Sequence, residues 1–199
     1  MLRKLIGSHV ALWLLLLLPA AVMLWQFFFG LRSWGLLLDQ SGEWAVRLLI
    51  LTLAVTPVRL LMKQMGLGPH WPMWLFKRRR DLGLAAFLYA ALHLGAYLVR
   101  QSNLHVVLFD LQYIEYTMGW LAFATMLALA VTSNDRAVHA LGRWWKPLQR
   151  LAYVSAAAAL HWFWIRLDHT GVWLHFLPLA ALEAYRLLHN FARPSGMRH

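Results

Sequence analysis

Two histidines, His93 and His161, lie deep inside long apolar stretches and are the strongest candidates for chemistry in this sequence. The stretches read RRDLGLAAFLYAALHLGAY and QRLAYVSAAAALHWFW, and basic residues stand at the start of each. His93 follows Asp81 by 12 residues, and His161 follows Gln149 by the same 12 residues. On helices that rise about 1.5 Å per residue, both imidazoles would lie roughly 18 Å from the polar entrance.

The composition is that of an integral membrane protein. Hydrophobic residues make up 61% of the 199 residues and charged residues only 14%, against about 25% charged residues in soluble domains. The net charge of +11 does not indicate nucleic-acid binding, because the positive residues gather at segment ends rather than on one polar face. The absence of cysteine excludes disulfides, thiolate ligands and protein-held iron–sulfur clusters.

The predicted fold class is all-α, a single transmembrane domain over residues 1–199 that forms a six-helix bundle. The first run is too long for a cleaved signal peptide, so we interpret it as a retained helix. Gly66, Gly68, Pro69 and Pro72 prevent one helix from continuing between the second and third runs. The predicted helices span about 10–29, 44–62, 82–99, 117–131, 148–165 and 172–188.

The distribution of Lys and Arg predicts that both termini are cytoplasmic. All but four of the 19 Lys and Arg residues fall on one side of this topology, and the exceptions are Arg32, Arg47, Arg100 and Arg166. Positive residues in short loops remain on the cytoplasmic side. The predicted helices that carry His93 and His161 therefore run in the same direction, with both histidines in the outer half of the membrane.

Two neutral imidazoles at one depth suit the two axial positions of a b-type haem. Ionisable residues within a membrane usually have a function, and the small residues Ala157 and Ala158, one turn before His161, would leave room for a flat macrocycle. Tyr89, Tyr97, Trp162 and Trp164 offer aromatic walls. The alternatives are that the small residues only let helices approach closely and that the histidines only form interhelical hydrogen bonds.

The haem propionates would need positive partners, and the scarce outer arginines are the candidates. Arg47 is preferred because it lies within an apolar run, and Arg100 and Arg166 follow the two histidine-bearing helices. The alternative for all three is interfacial snorkelling. The other eight histidines fall near segment ends or in loops, where a solvated or interfacial role is expected.

Several motifs, in order, resemble one known family. They are Ser41-Gly42 followed by LLILTLAVTPVRLL, then RRDLGLAAFLYAALHLGAY, GWLAFATMLALAVTSND and LGRWWKPLQRLAYVSAAAALHWFW, over residues 41–165. The chain is similar to the haem-binding membrane subunits of bacterial protein-methionine-sulfoxide reductase systems, in the ferric-reductase-like transmembrane group.

The resemblance implies a multi-pass protein of the bacterial inner membrane that binds haem b through His93 and His161. It implies electrons taken from the quinone pool, with FMN as a further cofactor of the family. The acceptor implied is a periplasmic molybdopterin-containing reductase that repairs oxidised methionine in envelope proteins, reversing a change that makes an apolar side chain polar. The chain itself would be a non-catalytic electron-transfer subunit.

One position departs from the family pattern and bears on the number of haems. Where the family has a third histidine, in a W-x-x-L-H-R-L-x-Y pattern, this chain reads WKPLQRLAY with Gln149. Glutamine is a poor axial ligand for haem iron compared with imidazole. We therefore expect one haem and not two.

Two other functions fit the sequence. The first is a haem-containing ferric or quinone-linked reductase with a different acceptor, which the sequence separates only weakly from the first reading. The second is a six-helix transporter without haem. Transporters often carry intramembrane acids, whereas the eight acidic residues here lie mostly in loops or at helix ends.

Overall fold

The computed structural model describes residues 9–66, 78–166 and 169–192, with the backbone alone for residues 161–166, 169–172 and 192. Every element in these ranges is helical, which confirms the predicted all-α class. The long helices are α1 (His9–Phe28), α2 (Trp34–Gln64) and α3 (Arg79–Gln101), followed by α4 (Leu104–Asp110), a short helix, and α5 (Ile114–Val131). The remaining elements are α6 (Asp135–Leu141), a 3₁₀ turn (Gly142–Trp144), α7 (Trp145–Gln149), α8 (Leu151–Arg166) and α9 (His169–Ala192).

Four of these helices, α1, α2, α3 and α5, are long and apolar enough to cross a membrane. Each predicted segment overlaps a long helix, but two boundaries differ substantially. The segment predicted at 44–62 belongs to a helix of 31 residues that begins at Trp34, after Ser33 caps the amide of Leu36. The segment predicted at 148–165 is broken at Arg150, where α7 ends and α8 begins at Leu151.

The helix pair in most extensive contact among the described elements is α2 with α3, and small residues make the approach possible. Ala85 and Ala86 on α3 are completely buried, and a Cβ added at Gly83 would lie 3.6 Å from a methyl group of Thr52. Small residues let membrane helices approach closely and gain van der Waals contact.

A second pair in extensive contact, α5 with α8, is joined by a partly buried hydrogen bond. The hydroxyls of Thr125 and Ser155 are 2.7 Å apart, and Ser155 is fully buried. Together, α2, α3, α5 and α8 enclose the candidate site.

At one end of the bundle, a contact between His9 and Asp81 connects α1 to the start of α3. Asp81, in the first turn of α3, lies 3.1 Å from the imidazole of His9 and 3.5 Å from the guanidinium of Arg78. A carboxylate in the first turn also interacts favourably with the helix dipole. The entrance to α3 is therefore held by charge, and its far end remains available to line a cavity.

Candidate haem site

The structure contains a cavity of about 310 Å³ between α2, α3, α5 and α8. Its walls combine small side chains, which leave room, with aromatic ones. The small residues are Gly42, Ala45, Ala90, Gly119, Ala122 and Ala159, and the aromatic residues are Tyr97, Tyr116, Trp120 and Phe123. A Cβ added at Gly119 would meet no atom within 4 Å, so this wall is open.

His93 lines this cavity, and the backbone of α2 fixes the orientation of its ring. The Nδ1 atom lies 2.9 Å from the carbonyl oxygen of Leu38 and 3.5 Å from the hydroxyl of Ser41, which itself donates to the same carbonyl at 3.0 Å. A carbonyl only accepts, so Nδ1 carries the proton in this hydrogen bond. In the neutral imidazole the lone pair is then on Nε2.

This arrangement fits an iron-bound haem. A metal-binding histidine typically donates its other ring N–H to a carbonyl or carboxylate, which fixes the tautomer and makes the ligand more basic. The Leu38 carbonyl provides this interaction for His93, and the small and aromatic side chains offer apolar walls for a macrocycle. The residues present therefore fit the group that the sequence predicts.

The polar end of the cavity lies where α3 ends and α5 begins. Arg100 and Gln101 from α3 and Glu115 and Tyr116 from α5 line it. Of Arg47 and Arg100, the two predicted propionate partners whose side chains the structure describes, Arg100 is the one that lines the cavity. A guanidinium is well suited to pair with a carboxylate.

Arg47 has other partners in this structure. It forms an ion pair with Glu43 at 2.9 Å, donates from Nε to the imidazole of His175 at 3.2 Å and lies over the ring of Trp44. Among the described residues, those that line the cavity do not include Arg47. Glu43 and Arg47 are four residues apart, which is the spacing of ion pairs along a helix. This spacing could have predicted from the sequence that Arg47 pairs with Glu43.

The structure describes the side chains of only some of the other predicted site residues. The side chains of His161, Trp162, Trp164 and Arg166 lie outside the described part of the structure. The helix that carries His161 reaches the cavity through Ala159. Of the two alanines expected to leave space, Ala158 is buried and Ala157 is exposed.

The two tyrosines expected to provide aromatic walls have different positions. Tyr97 lines the cavity. Tyr89 lies in the core, only 1% exposed, and stacks on Trp44 at 5.9 Å. Sequence reasoning also missed the aromatic wall from α5, where Trp120 and Phe123 are separated by a helical i, i+3 spacing.

Several other histidines have partners away from the cavity or are exposed. His9 pairs with Asp81, and the Nδ1 atom of His189 lies 2.6 Å from the side-chain nitrogen of Gln64. His105 and His139 are exposed, and His70 and His199 lie outside the described residues. Within the ranges that the structure describes, three or more metal-binding side chains do not cluster. A haem needs only axial ligands from the protein, so His93 remains the strongest described candidate.

Comparisons with known proteins place the chain in a family. Residues 41–160 match the family described as "Ferric reductase like transmembrane component". The chain is 34% identical over 197 positions to "Protein-methionine-sulfoxide reductase heme-binding subunit MsrQ" of Brucella ovis, of Brucella abortus strain 2308 and of Brucella melitensis biotype 2. Each alignment covers 92% of this chain and 82% of the relative. No solved structure matches significantly.

The matched region contains every described cavity-lining residue except Leu38. The alignment with the Brucella subunits extends over nearly the whole chain. Four helices of the described structure are long and apolar enough to cross a membrane. This multi-pass membrane protein therefore belongs to the ferric reductase-like transmembrane family and, within it, to the group of MsrQ-like subunits.

Proposed function

We propose that this chain is a b-type haem electron-transfer subunit of the bacterial inner membrane. In this proposal it passes electrons from the quinone pool to a periplasmic molybdopterin-containing methionine sulfoxide reductase. It crosses the membrane six times with both termini in the cytoplasm. The observation that carries the proposal is the hydrogen bond between His93 Nδ1 and the Leu38 carbonyl, at the wall of a cavity between four helices.

The residues have distinct roles in this proposal. His93, through Nε2, and His161 would hold the haem iron, so that the haem would join α3 and α8. Arg100 pairs with a propionate at the polar end of the cavity. Arg47 and Arg166 provide further positive charge on the outer side of the membrane. The bound haem supplies a one-electron redox centre, and the sulfoxide chemistry takes place in the partner.

The relatives support the choice of system. The Brucella proteins are named as heme-binding subunits of a protein-methionine-sulfoxide reductase. Reduction of a sulfoxide to a thioether takes up two electrons and two protons and releases water. A one-electron carrier must therefore deliver electrons twice for each methionine repaired.

The proposal is tested by following electrons through the full-length protein in lipid vesicles. A reduced quinone analogue is expected to reduce the haem, as seen in the visible spectrum. The purified periplasmic reductase with methionine sulfoxide is then expected to reoxidise it, and His93→Ala should not respond. A haem that quinol reduces but the reductase leaves reduced would contradict the proposed acceptor, and a haem that quinol cannot reduce would contradict the donor. The protein is then denatured, and the fluorescence of the supernatant tests for released FMN.

A further inference from the structure

A buried carboxylate lies just outside the polar end of the cavity. Asp110, the last residue of α4, is only 9% exposed although it belongs to the connection between α3 and α5. Burying a charged group is costly unless hydrogen bonds compensate for it. Asp110 has two such bonds. Its Oδ2 atom accepts from the hydroxyl of Tyr97 at 2.6 Å and from the side-chain Nε2 of Gln101 at 3.1 Å.

Both donors also line the cavity, and they share a helix face with His93. His93, Tyr97 and Gln101 follow one another at four-residue intervals on α3, so their side chains form one row along the helix. The Asp110 carboxylate therefore contacts the cavity wall directly and is only one side chain away from the cavity itself. Two charged residues line the same end, Arg100 and Glu115, and their formal charges cancel. Asp110 adds a further formal negative charge beside this end.

We propose that the charge of Asp110, which Tyr97 and Gln101 hold against the cavity wall, lowers the reduction potential of the haem held by His93. This inference rests on the proposed function. A nearby negative charge stabilises the ferric state relative to the ferrous state, and such a charge acts over a longer range in a low dielectric than in water. Charge, burial and hydrogen bonding around the ligands are among the means by which a protein tunes a haem. A lower potential favours the release of an electron to the next acceptor.

The test is an equilibrium redox titration of the purified full-length protein, followed by its visible spectrum. Asp110→Asn removes the charge but keeps an oxygen that accepts from Tyr97. We expect about a tenfold shift toward reduced haem, which is 59 mV for a one-electron couple. Asp39→Asn is the matched control, because Asp39 is exposed and stands next to Leu38 on α2. The control should stay within about twofold of the wild type, since exposed charges are screened.

Tyr97→Phe separates the effect of the Asp110 charge from that of the hydrogen bond by which Asp110 attaches α4 to α3. It removes the hydrogen bond that ties α4 to α3 but leaves the Asp110 charge and the Gln101 bond in place. The proposal predicts a potential closer to that of the wild type than to that of Asp110→Asn. A shift as large as that of Asp110→Asn would overturn the proposal, because loosening of α4 would then explain both variants.

Two further results would also overturn it. One is an unchanged potential in Asp110→Asn with full haem content, and the other is loss of haem together with a lower unfolding temperature. Either result would mean that Asp110 only stabilises the packing of α4 against α3. Absence of haem from the wild type is a different result, because it would overturn the proposed function itself.

Discussion

The hydroxyl of Tyr89 is inserted into the backbone hydrogen bonds of α1 at Ala20. It accepts from the Ala20 amide at 2.9 Å and donates to the carbonyl of Leu16 at 2.8 Å, so it bridges two groups that would bond directly in a regular helix. Pro19 precedes Ala20 and has no N–H to donate. In a membrane every backbone polar group must find a partner within the protein. Tyr89 provides one and thereby fastens α1 to α3.

Tyr89→Phe should destabilise the protein without removing the haem. Loss of the hydroxyl breaks two buried hydrogen bonds, and an unsatisfied buried group costs about 1–3 kcal/mol. The free energy of unfolding is expected to fall by about that amount in a denaturant titration in detergent. Haem per polypeptide should not change, because Tyr89 lies in the core and is not among the described cavity-lining residues. Tyr113→Phe, at a residue that is 45% exposed, is the control. Equal stability of the two variants would contradict the bridging role.

Filling the cavity from α5 should weaken haem binding. Gly119 lines the cavity, and an added Cβ there meets no atom within 4 Å, so Gly119→Leu would place a side chain in the open space. Overpacking costs about 1–3 kcal/mol, which is about a 5- to 100-fold loss of affinity. Titration of the haem-free protein with haem would measure it.

Gly95 provides the matched control for this substitution. It also has no atom within 4 Å of an added Cβ, but it is exposed and does not belong to the described cavity lining. Gly95→Leu should bind haem like the wild type. If both leucine variants lose haem equally, the haem is not in this cavity.

Among the outer arginines, Arg100 should matter more for haem affinity than Arg47. Arg100 lines the cavity, whereas Arg47 forms an ion pair with Glu43. Arg100 is exposed, and an exposed ion pair contributes up to about 1 kcal/mol, so Arg100→Gln should weaken haem binding by up to about fivefold. Arg47→Gln should leave haem affinity unchanged, because Arg47 is not among the described cavity-lining residues. A larger loss in Arg47→Gln would contradict this placement of the propionates.

The protein should hold one haem, and replacing Gln149 should not change that number. The Nε2 atom of Gln149 is buried and has no hydrogen-bond partner within the described residues. Gln149→Leu therefore removes a polar group that gains little from its environment, and we expect the free energy of unfolding to rise by up to about 1 kcal/mol. Haem quantification per polypeptide checks the count. A fall from two haems to one in Gln149→Leu would show that glutamine supports a second site.

The sequence predicted much of the helical framework because apolar runs are read directly from hydropathy. It placed the start of α2 too late, since Asp39, Gln40 and Glu43 lower the hydropathy of the first turns. In the structure the helix needs no apolar run there, because Ser33 caps its start. It also missed α4, whose seven residues are too few for a periodic signal.

The candidate site was predictable only in its side chains. His93 stands out as an ionisable residue in an apolar run, whereas its partner is the backbone carbonyl of Leu38, which any residue would offer. The approach of α2 that brings this carbonyl within reach depends on packing between helices. Asp110 resembled an ordinary loop carboxylate until the structure showed its bonds to Tyr97 and Gln101.

The most direct test of the account is a reduced-minus-oxidised visible spectrum with haem quantified per polypeptide. It compares the wild type with His93→Ala and His161→Ala, and His105→Ala serves as an exposed control. We predict one low-spin b-type haem in the wild type and in His105→Ala, and a high-spin or absent haem in both other variants. A well-folded wild type without haem, or a low-spin spectrum that survives in His93→Ala, would contradict the central claim that His93 binds a haem in this cavity.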